Sequence, residues 1–524
     1  MPLPRRLLAQ LFFLGLGLAV LAGCSTLPPL PERTPSSALT DTAATPLGEL
    51  ARTSLAGAGA GESGFRLLPT GDYAFDARLA LVRRAERSLD VQYYQIQRDS
   101  IGLKFLRELA AAARRGVRVR ILVDDLYTAG EDELFVSLAA LPNVELRLFN
   151  PLPARSDTML GRLALSLHEF GRINHRMHNK LFVADNRFAV TGGRNMADEY
   201  FMRSASANFI DMDVIAAGPV VNELSSVFDS YWNSIHAYPV QTVVRSGLDR
   251  AASERRFDEI VKGAAPDIVP ALSDPLGRVS VEVELASGRM PMALARARVF
   301  ADAPTKIDSA SRDASVSTVT RSVLAEFASA RSEVVIASPY FIPGPIGMKM
   351  MKEAVAQGGR IVVFTNSLGA TDEPLVHWRY ARYRREMLKL GVTIYELSPD
   401  LASRSGEFGT FGKSFGRLHA KVAVIDQSRI FIGSMNLDQR SAWSNTEVGV
   451  LIESPALAQA SYGLVASARG SVYRLRLAAD GETIEWITTA ADGKETVLTD
   501  EPHNSLLLRL KMWLLEPFAS EEML

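Results

Sequence analysis

The chain of 524 residues is longer than one hydrophobic core usually serves, so two domains or two fused halves are expected. Its composition, with 47% hydrophobic and 22% charged residues, is that of an ordinary globular protein. The 58 basic residues are balanced by 59 acidic residues, which gives no support for a nucleic-acid-binding protein.

Residues 1–23 have the pattern of a secretory leader. Two arginines precede an apolar run with small residues, which ends in LAGC at Cys24. This ending resembles the lipobox of bacterial lipoproteins, in which the cysteine carries the lipid. Cys24 is the only cysteine of the chain, so an intramolecular disulfide is excluded. The absence of other thiols also suits an oxidising compartment, where a free thiol would be a liability. A transmembrane anchor or a plain cleaved signal is the alternative.

Residues 24–62 are predicted to form a flexible tether. The segment is rich in Pro, Ser, Thr, Ala and Gly and lacks aromatic residues up to residue 62, so it cannot bury enough surface to order itself. Treated as a flexible coil, residues 27–62 reach about 30–35 Å. We therefore expect a protein of the bacterial cell envelope, lipid-anchored at Cys24 and facing the periplasm. The serine that follows this cysteine, Ser25, resembles the residue found there in lipoproteins that are sent to the outer membrane. It therefore favours the outer membrane over the inner membrane.

A first half is predicted over residues 63–240. It contains a helical pattern FDARLALVRRAERS, a buried strand LDVQYYQI, a helix IGLKFLRELAAAARRG that Gly116 closes, and an alternating strand VRVRILVDD. Strands that alternate with helices of this length predict βαβ units and parallel strands.

A second half, predicted over residues 296–460, repeats this order in TRSVLAEFASARS, EVVIASPYFI, IGMKMMKEAVAQGG and RIVVFTNS. Gly116 and Asp124 map onto Gly358 and Asn366 at an offset of 242. Matching order, spacing and end residues indicate a duplication. Residues 241–295 are left as a connecting segment and residues 461–524 as a C-terminal extension.

One motif occurs once in each half. MHNKLFVADNRFAVTGGRN, residues 177–195, and LHAKVAVIDQSRIFIGSMN, residues 418–436, carry the same residue types 241 positions apart. The matching pairs are His178 and His419, Lys180 and Lys421, Asp185 and Asp426, Gly192 and Gly433, and Asn195 and Asn436. A single His-x-Lys on a strand is usually an exposed edge, but two copies with the same downstream pattern are not explained in that way.

Each motif also predicts a β-hairpin. LFVA and FAVTG flank the turn at Asp185, and VAVI and IFIGS flank the turn at Asp426. We therefore predict an α/β protein made of two duplicated halves, each a mixed sheet flanked by helices. The halves are expected to pack about a pseudo-twofold axis and to share one active site.

The repeated residues suit phosphoryl transfer. Side chains two positions apart on a strand share a face, so each histidine projects together with its lysine, and the return strand brings the asparagine alongside. One half offers one imidazole, one ammonium and one amide, which is half of such a site. Two packed halves would place two of each around one phosphate.

The pattern HxKxxxxD with a glycine-led turn and asparagine resembles the signature of the phospholipase D superfamily, and both copies match it. SLDVQYYQIQRDSIG, GVRVRILVDD, GRINHRMHNK, GGRNMADEYF, FTNSLGATD, YARYRR and SNTEVG are similar to bacterial cardiolipin synthases, specifically the C type. The resemblance covers nearly everything from Phe65 onward. Two features depart from it: Gly193 stands where the common pattern has serine, and the lipobox leader is not expected in that type.

The resemblance implies a two-step exchange through a phosphohistidine. His178 would be the nucleophile and His419 the acid and base, although pseudo-symmetry leaves the reverse assignment open. The phosphoryl oxygens would be held by Lys180, Lys421, Asn195, Asn436 and Ser434. No metal or other cofactor is expected, since no cluster of ligands has zinc spacing.

Four acidic residues are weaker candidates. Asp185 and Asp426 lie at hairpin turns, so they are structural supports or direct electrostatic participants in catalysis. Asp211 and Glu447 occupy matching places, each eight residues before a proline, and could hold the histidines in one tautomer. A surface ion pair is the alternative for the second pair.

The expected activity is that of a membrane-tethered phosphatidyltransferase, which makes cardiolipin from phosphatidylglycerol and a second phospholipid such as phosphatidylethanolamine. A phospholipase D that hydrolyses phospholipids to phosphatidic acid, a secreted phosphodiesterase or nuclease, and a nonenzymatic lipid-binding protein are the alternatives. The expected partners are phospholipids and the membrane. No nucleic acid is expected, because the charge balance supplies no surplus of positive charge.

Two segments are predicted to meet lipid. SRSGEFGTFGKSFGRLHA, residues 403–420, reads as a mobile apolar lip, and NSLLLRLKMWLLEPF, residues 504–518, reads as an interfacial helix. A disordered loop and a terminal helix docked on the core are the alternatives.

Overall fold

A computed structural model describes residues 26–264, 270, 272–308, 318–405, 411, 414–489 and 493–515. The leader and Cys24 lie outside these residues, as do residues 406–410 and 412–413 of the 403–420 segment. In the part of the chain that is described, no helix combines the length and the apolar character needed to cross a bilayer.

A nine-stranded mixed sheet forms the first half. The strands up to residue 295 are β1 (Ser63–Leu68), β2 (Ser88–Tyr93), β3 (Arg118–Asp124), β4 (Val144–Phe149), β5 (Leu181–Ala184), β6 (Phe188–Gly192), β7 (Ala207–Ile210), β8 (Asp213–Ala217), β9 (Ala237–Pro239) and β10 (Ala293–Ala295). The spatial order is β10-β1-β8-β6-β5-β2-β3-β4-β9. Strands β2, β3 and β4 are parallel, and β5 runs antiparallel to β2.

A ten-stranded sheet forms the second half. The strands from residue 297 onward, of which β15 lies outside this sheet, are β11 (Ala297–Ala301), β12 (Glu333–Ala337), β13 (Arg360–Asn366), β14 (Thr393–Leu397), β15 (Phe415–Leu418), β16 (Val422–Ile425), β17 (Arg429–Gly433), β18 (Val448–Ile452), β19 (Val472–Leu477), β20 (Ile484–Thr489) and β21 (Glu495–Leu498). The spatial order is β11-β18-β17-β16-β12-β13-β14-β19-β20-β21. Strand β19 is antiparallel to β14, as β9 is to β4.

Helices cover the sheets. The α-helices are α1 (Pro46–Ser54), α2 (Gly71–Arg84), α3 (Ser100–Arg114), α4 (Asp132–Leu138), α5 (Met159–Leu165), α6 (Phe170–Ile173), α7 (Pro219–Trp232), α8 (Val240–Val243), α9 (Arg250–Ile260), α10 (Val281–Ala286), α11 (Val319–Ala328), α12 (Gly344–Ala356), α13 (Pro374–Ala381), α14 (Arg384–Leu390), α15 (Pro399–Ser405), α16 (Gln439–Trp443), α17 (Pro455–Ser467) and α18 (Leu506–Leu515). Short 3-10 helices cover Leu167–Glu169, Asp198–Phe201, Val261–Gly263, Pro304–Asp308 and Ala468–Ser471.

Local sequence explains the matching helices and hairpins. Gly116 and Gly358 follow α3 and α12 with φ of 100° and 86°, a conformation that glycine adopts without strain. The hairpin turns place Asp185 and Asp426 at φ near 50° (49° and 50°), as the favoured two-residue hairpin turns require. The order β8-β6-β5-β2-β3-β4-β9 has its counterpart in β18-β17-β16-β12-β13-β14-β19, so the predicted duplication of a mixed α/β unit is confirmed.

The two halves share one core. Leu181 and Val183 of β5 lie in the same buried cluster as Val422 and Val424 of β16, together with residues of α7 and α17. Strands β7 and β15 add a parallel two-stranded sheet that joins the halves directly. The residues just after β7 and β15 are therefore fixed relative to one another.

The N-terminal segment is ordered over residues 33–54. The guanidinium of Arg33 donates to backbone carbonyls of Asn233, Ser234 and Ala237. The amide of Ala38 donates to Asp229 at 2.8 Å, and Leu47 of α1 is fully buried. A flexible tether over 24–62 is therefore wrong for this stretch, because hydrogen bonds to α7 and the burial of α1 order a segment that lacks aromatic side chains.

Candidate active site

The two copies of the repeated motif meet between the halves. His178 precedes β5, which is antiparallel to β2, so it lies at the carboxyl end of β2. His419 precedes β16 and lies at the carboxyl end of β12 for the same reason. Both residues are buried, with 7% and 5% of their surface exposed.

Backbone hydrogen bonds hold the two histidines across the junction. The amide of His178 donates to the carbonyl of Thr446 at 2.9 Å. The amide of His419 donates to the carbonyl of Ile210 at 2.7 Å. Each histidine is thereby fixed beside the residue that precedes Glu447 or Asp211 in the other half.

The matched strand ends noted in the sequence support these segments. Asp124, at the end of β3, accepts a hydrogen bond from the amide of Met177 at 2.8 Å. Asn366, at the end of β13, accepts one from the amide of Leu418 at 2.8 Å. The residue before each histidine is thus held by the neighbouring parallel strand.

The carboxylates pair with the histidines in a crossed arrangement. Nδ1 of His178 lies 2.9 Å from Oε2 of Glu447, and Nδ1 of His419 lies 2.7 Å from Oδ2 of Asp211. The sequence predicted that these carboxylates could orient the histidines, but it did not assign the partners. Each histidine is oriented by the half that does not carry it, so the complete site requires both halves.

The protonation states follow from burial and charge. Burial lowers the pKa of His178 and of His419 to about 4, so both imidazoles are neutral near pH 7. Burial alone would raise the pKa of Asp211, but His419, Lys421 and Arg194 outweigh it and hold that pKa at about 2. Each ring therefore donates from Nδ1 to a carboxylate and leaves Nε2 unprotonated.

Two buried lysines supply positive charge. Nζ of Lys180 and Nζ of Lys421 each donate to the carbonyl of the neighbouring histidine at 2.6 Å. Nζ of Lys421 also lies 3.0 Å and 3.1 Å from the two ring nitrogens of His419. Burial lowers the pKa of Lys421 to about 8 and that of Lys180 well below its usual value. An anionic phosphate between them would stabilise the charged form of both lysines.

The two motif asparagines leave acceptor atoms open. Nδ2 of Asn195 donates to the hydroxyl of Tyr200 at 2.9 Å. Oδ1 of Asn195 and Oδ1 of Asn436 are buried and have no hydrogen-bond partner among the described residues. Buried polar atoms are normally paired, so this part of the site is incomplete without a polar ligand.

Ser434 does not have the predicted role. Its hydroxyl is fully buried and donates to Oε2 of Glu447, while it accepts a hydrogen bond from the amide of Val448 at 3.0 Å. The predicted contact with a phosphoryl oxygen is wrong, because the hydroxyl is committed to the carboxylate that orients His178.

Asp185 and Asp426 are structural. Oδ1 of Asp185 accepts hydrogen bonds from the amides of Arg87 and Ser88 at 2.8 and 2.9 Å. Oδ1 of Asp426 accepts one from the amide of Ser332 at 2.7 Å. Asp185 lies seven positions after His178, which is roughly 23 Å along an extended chain. Of the two predicted roles, direct participation in catalysis is therefore wrong, because both carboxylates bind the turns that lead into β2 and β12.

Two tyrosines complete the walls of the site and were not singled out in the sequence. The ring of Tyr94 meets His178 edge-on with centroids 5.0 Å apart, and Tyr200 meets His419 in the same way at 5.0 Å. Tyr94 belongs to the tyrosine pair at the end of LDVQYYQI, which was the available signal. Farther out, the hydroxyl of Tyr340 donates to Asp372 at 2.8 Å, and the charge of Asp372 raises the pKa of Lys421 against the effect of burial.

Over the described ranges, no group of three or more His, Cys, Asp or Glu side chains is arranged to hold a metal ion.

Residues 79–232 and 323–462 match the family described as "Cardiolipin synthase, PLD-like domain". These ranges make up more than half of the chain, so the protein belongs to this phospholipase D-like family. The resemblance seen in the sequence is confirmed, and with its paired site the chain is an enzyme of the phospholipase D superfamily.

Similar proteins include several cardiolipin synthases. Cardiolipin synthase C of Escherichia coli (strain K12) is 37% identical over 443 residues, which are 83% of this chain and 91% of that protein. Cardiolipin synthase 2 of Staphylococcus epidermidis is 25% identical over 390 residues, 74% of this chain and 64% of that protein. The crystal structure of phosphatidylserine synthase from Haemophilus influenzae Rd KW20 has a TM-score of 0.53 at 14% identity and covers 87% of this chain and 92% of its own, which shows a common fold.

Proposed function

We propose that the protein is a phosphatidyltransferase that makes cardiolipin from phosphatidylglycerol and a second phospholipid through a phosphohistidine. The crossed arrangement of His178 with Glu447 and His419 with Asp211 carries this proposal, because it gives one buried site a nucleophile and a partner acid. The similarity to cardiolipin synthase C supports the choice of lipid and acceptor.

In the first step, Nε2 of His178 attacks the phosphorus of the donor phospholipid. The bond between phosphorus and the headgroup oxygen breaks, and the departing alcohol takes a proton from Nε2 of the protonated form of His419, which Asp211 and the anionic phosphodiester of the bound lipid favour. Lys421 beside the ring makes a proton on His419 more acidic, which supports this division of roles. Lys180, Lys421, Asn195 and Asn436 hold the phosphoryl oxygens.

In the second step, neutral His419 removes a proton from a hydroxyl of phosphatidylglycerol. That oxygen attacks the phosphorus, the bond from phosphorus to His178 breaks, and cardiolipin forms. Water competes for the same step. Burial of both histidines limits the access of water and supports a lipid acceptor.

The product decides between transfer and hydrolysis. Purified protein in mixed vesicles of phosphatidylglycerol and phosphatidylethanolamine should form cardiolipin faster than phosphatidic acid, as measured by mass spectrometry. Phosphatidic acid alone would make the protein a hydrolase, and cleavage of DNA without either lipid product would make it a nuclease.

Variants of the two histidines test the shared site. His178→Ala and His419→Ala should each abolish turnover while thermal unfolding stays cooperative. With a donor whose leaving group needs no proton, such as a nitrophenyl phosphatidyl ester, His419→Ala should still form a phosphoenzyme and His178→Ala should not. Trapping on His419 instead would reverse the assignment, and full activity in either variant would refute the shared site.

The same proposal places the enzyme on a membrane. A lipid on Cys24 would anchor the chain in the bacterial envelope, facing the periplasm and preferring the outer membrane. Cys24→Ser should abolish acyl labelling and release the mature chain from the membrane fraction. Labelling that persists in this variant would remove the lipoprotein assignment.

A further inference from the structure

Helix α18 exposes a large apolar surface. Leu506, Leu507 and Trp513 have 81%, 78% and 64% of their surface exposed, and Leu510 has 53%. The buried residue of this helix is Met512. Soluble proteins seldom expose so many apolar side chains together unless the surface meets a partner.

The segment before α18 is fastened close to the active site. Glu501 binds His377 at 2.9 Å, and His503 packs against Gly369. Gly369 follows the carboxyl end of β13, and α18 packs on α13. Since His419 also lies at the carboxyl ends of the parallel strands, α18 lies at the active-site end of the second half.

The first half has a counterpart at the same end. Between the carboxyl end of β4 and His178, Leu160, Leu165 and Leu167 are 79%, 55% and 61% exposed, and Phe170 is 48% exposed. This stretch, residues 160–170, was not singled out in the sequence.

Residues 160–170 are tied to the wall of the site. The buried guanidinium of Arg162 donates to the hydroxyl of Thr128 at 2.9 Å. The preceding residue Tyr127 packs its ring on Tyr94 with centroids 5.3 Å apart, and Tyr94 meets His178. Exposed apolar side chains therefore flank the site from both halves.

The N-terminal segment leaves the molecule at this end. Arg33 binds the carbonyl of Ala237, and Ala237 pairs with Phe149 at the carboxyl end of β4. The nine residues from Arg33 back to Cys24 span at most roughly 30 Å. An anchor at Cys24 would therefore hold the active-site end, rather than the opposite end, close to a bilayer.

We infer that α18 and residues 160–170 form one docking face, which seats the mouth of the active site on an anionic lipid bilayer. Charge favours this occupant, because residues 505–515 contain Arg509 and Lys511 and no acidic residue. Trp513 among leucines suits the region between headgroups and acyl chains. The inference rests on the proposed function, since a site that takes phospholipid must reach a bilayer.

Vesicle flotation tests this face in the mature chain, which begins at residue 24 and carries Cys24→Ser, so that both the leader and the lipid anchor are absent. This chain should bind vesicles made of equal parts phosphatidylglycerol and phosphatidylethanolamine. Its binding to neutral phosphatidylcholine vesicles should be at least tenfold weaker. Leu510→Glu with Trp513→Glu should lower the partition coefficient at least tenfold, and Leu160→Glu with Leu167→Glu should do the same.

Val283→Glu is the matched control. Val283 is 56% exposed on α10, whose Glu282 binds Arg84 at the end of α2 just before β2 begins. It therefore lies at the opposite end of the sheet, and this variant should bind as the parent does. Equal binding by the parent and both double variants, or no binding by the parent, would overturn the docking face.

Turnover of a monomeric short-chain phosphatidylglycerol separates this inference from the proposed function. The docking variants should keep the parent rate there, with unchanged thermal unfolding, because their side chains do not touch the site. A loss of that rate would mean that the variants disturb the site, and would overturn the assignment of these residues to docking alone. Binding without any turnover in the parent would refute the function and leave the docking face standing.

Discussion

The two halves share one plan but hold their carboxylates differently. In the first half, a Cβ atom at Gly193 would lie 2.2 Å from Oδ1 of Asp211, so no side chain fits there. In the second half, Ser434 occupies the matching place and donates to the longer side chain of Glu447. The departure from the serine of the common motif is therefore coupled to the exchange of glutamate for aspartate, and it does not remove a phosphate contact.

Neutralising either carboxylate should have the largest effect. Asp211→Asn and Glu447→Gln should each lower kcat on mixed vesicles by about 10³-fold or more, because an amide no longer fixes Nδ1–H of the paired histidine. Thermal unfolding of both variants serves as the control. If kcat of either variant stays within a few-fold of the parent value, the histidine paired with that carboxylate does not need the crossed pair.

Exchanging the small residues should have a smaller effect. Gly193→Ser should lower kcat about 100-fold and the free energy of unfolding by about 1–3 kcal/mol, because the side chain overlaps Asp211. Adding Asp211→Glu to this variant copies the serine and glutamate of the second half. The double variant should have a kcat at least tenfold higher than that of Gly193→Ser alone. Ser434→Gly should cost about 1–2 kcal/mol, because it removes one hydrogen bond to Glu447. If Gly193→Ser has no effect on the rate, the coupling between the two positions is wrong.

The alkaline pH dependence should depend on Lys421. Its pKa of about 8 means that the ammonium ion is present below that pH and is lost above it. We expect kcat/KM to fall about tenfold per pH unit above pH 8, and Lys421→Arg to remove this decline, since arginine stays charged. Stopped assays from pH 6 to 10 measure it. A flat profile in the parent, or the same decline in the arginine variant, would contradict the assignment.

The hairpin carboxylates should affect stability and leave the rate unchanged. Asp185 is fully buried, whereas 18% of the Asp426 side chain is exposed. Asp185→Ala should therefore lower the free energy of unfolding by about 2–3 kcal/mol and Asp426→Ala by about 1–2 kcal/mol, with kcat of the folded protein unchanged. Denaturant titration and active-site-normalised rates measure the two effects.

The contribution of Asp426 to the free energy of unfolding should also depend on pH. Burial alone would raise its pKa, but hydrogen bonds from the amides of Arg331, Ser332 and Glu333 outweigh this and lower the pKa to about 2. The carboxylate therefore stabilises the fold above pH 3.8, and this contribution is lost as the pH falls to about 2. The difference in stability between the parent and Asp426→Ala should shrink over that interval, and a constant difference would contradict this.

Much of the fold is visible in the sequence because its signals are local and occur twice. The segments LFVA and FAVTG become β5 and β6, with the predicted turn at Asp185 between them. The pairing of His178 with Glu447 could not be predicted, since 269 positions separate the two residues and no local pattern shows which half supplies the partner. The order of residues 33–54 was missed for the same reason, because contacts with α7 decide it.

The crossed pairing also has a consequence for the timing of synthesis. A nascent chain that has passed residue 240 already contains His178 and Asp211, but the partners of both, Glu447 and His419, are still to be made. N-terminal domains usually fold first during translation. Here a folded first half has no oriented nucleophile, so a growing or truncated polypeptide cannot carry out the reaction of the complete site. Chemical competence appears only when the part of the second half that carries His419 and Glu447 has joined the first half.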